Sequence, residues 1–170
     1  VIPYYRRFLA RFPGLAGLAA APQEEVMALW SGLGYYARAR NLQRAAQTIV
    51  ARHGGRFPRR IEDIEQLPGI GRSTAAAVAV FAFGARAAIL DGNVKRVLAR
   101  VFGIDGFPGE KALENRLWAL AESLLPARDI EAYTQGLMDL GATLCSRRQP
   151  RCGDCPFAAQ CVALRDGRIA

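Results

Sequence analysis

Apolar positions recur at helical spacing through most of the chain. Over residues 1–12, Ile2, Tyr5, Phe8, Leu9 and Phe12 share one face, and Pro13-Gly14 ends the run, which predicts an amphipathic helix. The Ala/Leu/Gly stretch that follows reads as a loop leading to Pro22. That proline suits a first helical position, and Gln23, Glu24 and Glu25 bring acids to the first turn of a helix running to about Trp30. A glycine turn at Gly32-Leu33-Gly34 feeds a longer helix that continues to His53 and stops at Gly54-Gly55. A short helix is expected over 61–66 and another over 72–83, closed by Gly84. Asp91 begins a helix with Val94, Val97, Leu98 and Val101 on one face and Lys95, Arg96 and Arg100 elsewhere. Two further helices are expected over 110–125 and 128–144. No segment alternates apolar and polar residues for long, so the pattern predicts an all-α fold of roughly eight or more helices joined by short loops. There is no internal repeat and no low-complexity tract. The glycines from 106 to 109 mark the expected boundary, giving a helical lobe over 1–105 and a second over 106–170.

The stretch from Leu67 to Asp91 departs from simple helix patterning. Pro68-Gly69-Ile70-Gly71 cannot continue a helix, yet Arg72-Ser73-Thr74 and the Ala/Val run behind it are helix formers. This is a tight turn opening a helix, a place where bare backbone amides accept a phosphate. The lone carboxylate of Asp91 reads as a helix N-cap, a role compatible with chemistry because helix amides keep the carboxylate ionised.

Charge adds a partner to this picture. The 170-residue chain has a formal net charge of +8 and a pI near 9.9, and all but Lys95 and Lys111 of its 23 basic residues are arginine. Guanidinium grips phosphate in bidentate fashion, so nucleic acid is the expected anion. Tyr35 and Tyr36, with Arg38 and Arg40 just behind them, mix stacking planes with phosphate partners; one tyrosine is expected to be exposed and the other buried. No apolar run is long enough to span a bilayer and no signal peptide stands out, which points to a protein of the cytoplasm, associated with the nucleoid if bacterial, and with no membrane partner.

All four cysteines, Cys145, Cys152, Cys155 and Cys161, fall close together in a C-x6-C-x2-C-x5-C pattern. Such clustering argues for metal over disulfides in a reducing compartment. Four thiolates suit either tetrahedral zinc or an iron–sulfur cluster. Zinc ribbons pair two short knuckles, whereas only one C-x2-C is present here, so the wider spacings favour a [4Fe–4S] cubane. Arg147, Arg148 and Arg151 lie in the first cysteine loop, where a rigid metal anchor would make them a phosphate-gripping knuckle.

Together the Leu-Pro-Gly-Ile-Gly turn, the Leu90-Asp91-Gly92-Asn93 aspartate and the spaced cysteines resemble the helix-hairpin-helix DNA glycosylases that carry an iron–sulfur cluster. Within them, residues 32–42, 71–75 and 89–100 are similar to the adenine-excising MutY branch rather than to endonuclease III. The resemblance covers essentially the whole chain. It implies a helical barrel lobe beside an iron–sulfur lobe, a monomer acting on duplex DNA, and excision of adenine mispaired with 8-oxoguanine or guanine after the base is extruded. Asp91 matches the family's catalytic aspartate, which stabilises the oxocarbenium-like sugar. Amides around Pro68, Gly69, Ile70 and Gly71 would hold a DNA phosphate, helped by a monovalent cation on the turn's carbonyls. Tyr35 matches the intercalating aromatic, and Arg38, Arg40, Lys95, Arg147 and Arg148 would meet phosphates. At position 73 the endonuclease III type places a Schiff-base lysine; Ser73 cannot form one, so the resemblance implies base excision without strand cleavage. A thymine or pyrimidine mismatch glycosylase, or a catalytically silent iron–sulfur DNA-binding module, would share the same hairpin and cysteines.

The family's general-acid glutamate and its carboxy-terminal Nudix-like domain have no counterpart in these residues. Glu24 and Glu25 are first-turn charges rather than substitutes. The expectation is a piece of a longer enzyme, and as a piece it would bind DNA weakly and release adenine poorly, since losing an acid catalyst costs about 10²–10⁴-fold.

Overall fold

The computed structural model describes residues 1–107 and 109–169. Among them all regular structure is helical. The order is α1 (Ile2–Arg11), α2 (Leu15–Ala20), α3 (Gln23–Trp30), α4 (Ala37–His53), α5 (Ile61–Glu65), α6 (Arg72–Phe83), α7 (Gly92–Phe102), α8 (Lys111–Ser123), α9 (Ile130–Asp139), a π-helical turn (Leu140–Leu144), two short 3₁₀ turns (Cys152–Asp154 and Ala158–Gln160) and α10 (Val162–Arg165). None of these helices is long and apolar enough to cross a membrane.

The chain divides into two compact units, Val1–Gly71 and Arg72–Ala170. In the first, α2 and α3 pack on α4 around Phe12, Leu18, Val26, Ala39 and Ala46. Phe8 sets its ring edge-on to both Phe12 and Trp30. The stretch expected as a loop after Pro13-Gly14 is therefore a helix, α2. Its signal is weak because it is only six residues long, and its last carbonyls are satisfied from far along the chain. The Gln43 side chain donates to the carbonyl of Ala21 at 2.7 Å, and Gln47 donates to that of Ala19 at 3.2 Å. Such a cap cannot be read from neighbouring residues. Pro22 stands one place earlier than expected, as the residue before α3. A second apolar cluster of Ala45, Ile49 and Leu67, with Ile70 against it, ties the 67–71 turn to α4.

The second unit is built on the connection between α6 and α7. Residues 85–90 form neither helix nor strand, and Ala88, Ile89 and Leu90 enter one core with Val94, Leu98, Leu117 and Trp118. The glycine break over 106–109 lies inside this unit, whereas the sequence placed a boundary there. Helices α7 and α8 flank the break, and Leu98 and Leu117 bury into the same cluster. Glycine punctuation here falls between two helices that share one core rather than at a change of core.

Helix α9 does not stay α-helical to Leu144 as its spacing suggests. It widens into the π turn, and the amide of Cys145 donates to the carbonyl of Leu140 at 2.7 Å. Gly141 sits in that turn, where a Cβ would come within 2.5 Å of the Asn93 Cβ and 3.0 Å of its backbone. Glycine is what lets the turn approach the start of α7 so closely. The tail after α10 folds back: Arg168 pairs with Asp105 and with Asp166. Hydrogen bonds from Arg165 and Arg168 hold the Asp166 carboxyl below its ordinary range.

Candidate functional site

Asp91 is the N-cap of α7. Its backbone is extended, and its Oδ1 accepts the amide of Val94 at 2.8 Å. This cap satisfies a helix-terminal donor and is worth about 1 kcal/mol. The other carboxylate oxygen takes no hydrogen bond from the described residues, so it is available to a ligand. One residue earlier, the amide of Leu90 donates to Ser73 Oγ at 3.0 Å. The two positions singled out in the sequence are thus joined through one peptide.

The rest of the α7 face is tied down by arginines. Arg96 donates to the carbonyl of Cys145 at 2.7 Å, to that of Gly141 at 2.6 Å and to Asn93 Oδ1 at 2.8 Å. Arg100 donates to the carbonyls of Ser146 and Ile169, each at 2.7 Å, and to that of Arg147 at 3.3 Å. It also lies 3.4 Å from Cys145 Sγ. These two side chains connect the Asp91 helix to the cysteine segment. Sequence reasoning placed them only on the polar side of α7, because the carbonyls they reach in the π turn and the cysteine segment lie 45 or more residues away. Lys95 is engaged as well: its Nζ is 2.6 Å from Glu114. The hydrogen bond and charge of Lys95 hold the Glu114 carboxyl below its ordinary range.

All four cysteines carry free thiols and line one recess, walled by apolar side chains including Val97, Val101, Leu140 and Leu144. Burial pushes the Cys152 thiol up, and the three neighbouring thiols push it further, against the opposing charge of Arg100. Neither histidine nor carboxylate lines the recess. Among the described residues no three His, Cys, Asp or Glu side chains gather tightly enough to hold a single metal ion. Four soft donors spread around an apolar recess fit a thiolate-bound iron cluster in donor chemistry. Arg147 and Arg148 are exposed, and Arg151, which lines the recess, lies 3.9 Å from Asp154.

In the first unit the 67–71 turn is closed by the amide of Ile70 donating to the carbonyl of Leu67 at 3.1 Å. Gly69 adopts φ +79°, and a Cβ there would come within 2.6 Å of the Asn41 side chain, so both conformation and space require glycine. Among the described residues the amides of Gly69 and Gly71 have no backbone acceptor. Both glycines are exposed, Pro68 is half-buried, and Ile70 turns its side chain to the core.

Tyr35 and Tyr36 are both exposed, at 81% and 42%, against the expectation that one would be buried. The reason is local. Tyr35 has φ +48°, a left-handed conformation costly for an aromatic residue, and it swings the ring outward ahead of α4 while Tyr36 caps the helix from outside. The Arg38 guanidinium sits 5.2 Å from the Tyr35 ring and 5.8 Å from Trp30. Arg40 is exposed on the following turn.

Comparison with known proteins places this arrangement. Residues 1–123 match the HhH-GPD superfamily of base excision DNA repair proteins, and the chain belongs to that superfamily. It is 43% identical over 162 residues to the adenine DNA glycosylase of Buchnera aphidicola subsp. Acyrthosiphon pisum, covering 95% of this chain and 46% of that protein. It is 46% identical over 165 residues to the adenine DNA glycosylase of Homo sapiens, covering 96% of this chain and 30% of that one. The chain therefore spans at most about half the length of these relatives. Among solved structures, a thermostable thymine-DNA glycosylase aligns with a TM-score of 0.87 at 32% identity, covering 96% of this chain and 76% of that one. A non-covalent endonuclease III–DNA complex aligns with a TM-score of 0.83 at 25% identity, covering 97% and 76%. The all-α architecture is that of the helix-hairpin-helix DNA glycosylases.

Proposed function

We propose that the whole protein carrying this chain excises adenine from DNA where it is mispaired with 8-oxoguanine or guanine, by hydrolysis of the N-glycosidic bond without strand cleavage. The observation that carries this reading is Asp91: a helix-capping carboxylate with one oxygen held by Val94 and the other free. Glycosidic cleavage develops positive charge on the sugar as the base departs. A fixed carboxylate stabilises that charge and needs no reorganisation at the moment of reaction. Ser73 at the lysine position leaves no amine there for a Schiff base, and Lys95 is held by Glu114. The names of the sequence relatives support adenine as the leaving base.

Duplex DNA is the partner in this reading. The free amides of Gly69 and Gly71 take a backbone phosphate, with a monovalent cation on the turn's carbonyls. Tyr35 wedges beside the oxidised guanine, offsetting an unstacking cost of a few kcal/mol. Arg38, Arg40, Arg147 and Arg148 meet flanking phosphates. Cys145, Cys152, Cys155 and Cys161 hold a [4Fe–4S] cluster. When bound, the cluster supplies a rigid anchor for the arginine-bearing loop, while Arg96 and Arg100 fix that loop against α7.

The neighbour named as a thymine-DNA glycosylase supports a second reading, removal of thymine opposite guanine. Single-turnover assays of the whole protein on the two duplexes separate them. Adenine release opposite 8-oxoguanine, with no thymine release opposite guanine, is the expected result. The reverse preference would replace the first reading by the second.

A further inference from the structure

The residue at position 73 has a task beyond the absence of a lysine. The 85–90 connection forms no helix or strand, so beyond the Ala85 amide, which bonds the Ala79 carbonyl, its amides have no regular partners among the described residues. Leu90 is only 3% exposed, and a buried amide without an acceptor is destabilising. Ser73, in the first turn of α6, supplies that acceptor at 3.0 Å. The next peptide leads directly to Asp91, whose Oδ1 is fixed at 2.8 Å by Val94. Two hydrogen bonds therefore bracket Asp91, one on the chain entering it and one on its side chain. Between them they set where the free carboxylate oxygen points.

We propose that Ser73 is a positioning residue for Asp91, orienting the carboxylate toward the cationic sugar by accepting the Leu90 amide. The proposal rests on the reading of Asp91 given above. It also explains why the residue type at 73 is a choice between two chemistries. A hydroxyl offers lone pairs to an incoming N–H, whereas an ammonium has three donors and no acceptor. A side chain at this position either holds the Leu90 amide or presents an amine, and cannot do both.

The test uses the whole protein carrying this chain and two duplexes. One carries a protonated pyrrolidine in place of the deoxyribose, a cationic mimic of the sugar in the transition state; the other carries a neutral tetrahydrofuran. Wild type should bind the cationic duplex at least about tenfold more tightly, as expected for a transition-state mimic facing a carboxylate. Ser73→Ala should cut that preference by about fivefold, the worth of one ordinary hydrogen bond, while leaving affinity for the neutral duplex within about twofold. Ser73→Thr, which keeps the acceptor, should retain the wild-type preference, and Asp91→Asn should abolish it. Hydrogen exchange at the Leu90 amide should quicken in Ser73→Ala alone. If Ser73→Ala does not fold, Ser73→Cys, with a weak sulfur acceptor, takes its place with the same expected loss. An unchanged preference in Ser73→Ala or Ser73→Cys, or a lost one in Ser73→Thr, would overturn the role of Ser73 and leave that of Asp91 standing. Absence of any preference in wild type would overturn the reading of Asp91, and the proposal with it.

Discussion

Two parts of the second unit meet on α7 and differ in how they are held. The α6–α7 connection is finished by the protein itself: Ala88, Ile89 and Leu90 are buried, the Leu90 amide is taken by Ser73, and Asp91 is locked onto the helix it begins. The cysteine segment, 145–161, is held from outside. Arg96 and Arg100 bind its carbonyls, yet its four thiols converge on a recess without bonding one another. The first is rigid through packing and capping. The second is braced at both ends, by Arg96 and Arg100 on the carbonyls of Cys145 and Ser146 and by Cys161 Sγ donating to the Arg100 carbonyl at 3.4 Å. In the reading proposed above, the first kind of structure suits a catalytic carboxylate, whose geometry is set before any ligand arrives, and the second suits a loop that takes a metal cluster.

The sharpest way to break this comparison is to remove a ligand from the second part. Cys155→Ala should yield protein lacking the absorbance near 400 nm expected of thiolate-bound iron and losing helical signal from the tail at lower temperature, while wild type is brown. A colourless wild type with stoichiometric zinc would contradict the cluster. Next, Arg96→Leu should lower stability by about 2–4 kcal/mol, because carbonyls of Gly141 and Cys145 and the Asn93 side chain lose a charged donor together. Urea unfolding measures it, and a change below about 0.5 kcal/mol, the scale of an ordinary surface substitution, would mean the arginine is decorative. Gly69→Ala, in the other unit, should cost about 1–2 kcal/mol through its positive φ and the crowding at Asn41. Its effect on iron content should be nil.

The smallest expected effect comes from the exposed Lys95–Glu114 pair. The Glu114 carboxyl is depressed in the folded protein, so its contribution is present above the unfolded carboxylate pKa and fades as pH falls through the lower folded value. Lys95→Met should therefore lower Tm slightly at pH 7, and the difference from wild type should close in strongly acidic buffer. A gap that widened on acidification would contradict the pairing.

Much of this was legible in the sequence for physical reasons. The glycine turn, the Asp91 cap and the spacing of Val94, Val97 and Leu98 are local signals, and the structure follows them closely. What escaped is non-local. Helix α2 depends on Gln43 and Gln47 from α4, and the arginine braces depend on carbonyls brought near by the π turn. The outward throw of Tyr35 depends on a left-handed backbone that an aromatic residue does not announce. The unit boundary escaped because glycine marks turns whether or not the core continues across them.

The proposed account rests on Asp91 as the group that stabilises the cationic sugar while the base departs. The direct measurement is single-turnover adenine release opposite 8-oxoguanine by the whole protein, wild type against Asp91→Asn, with duplex affinity measured alongside. Release should fall by about 10²–10³-fold with affinity largely kept, in line with the loss of a preorganised electrostatic group. Adenine release at the wild-type rate by a folded Asp91→Asn protein would contradict it.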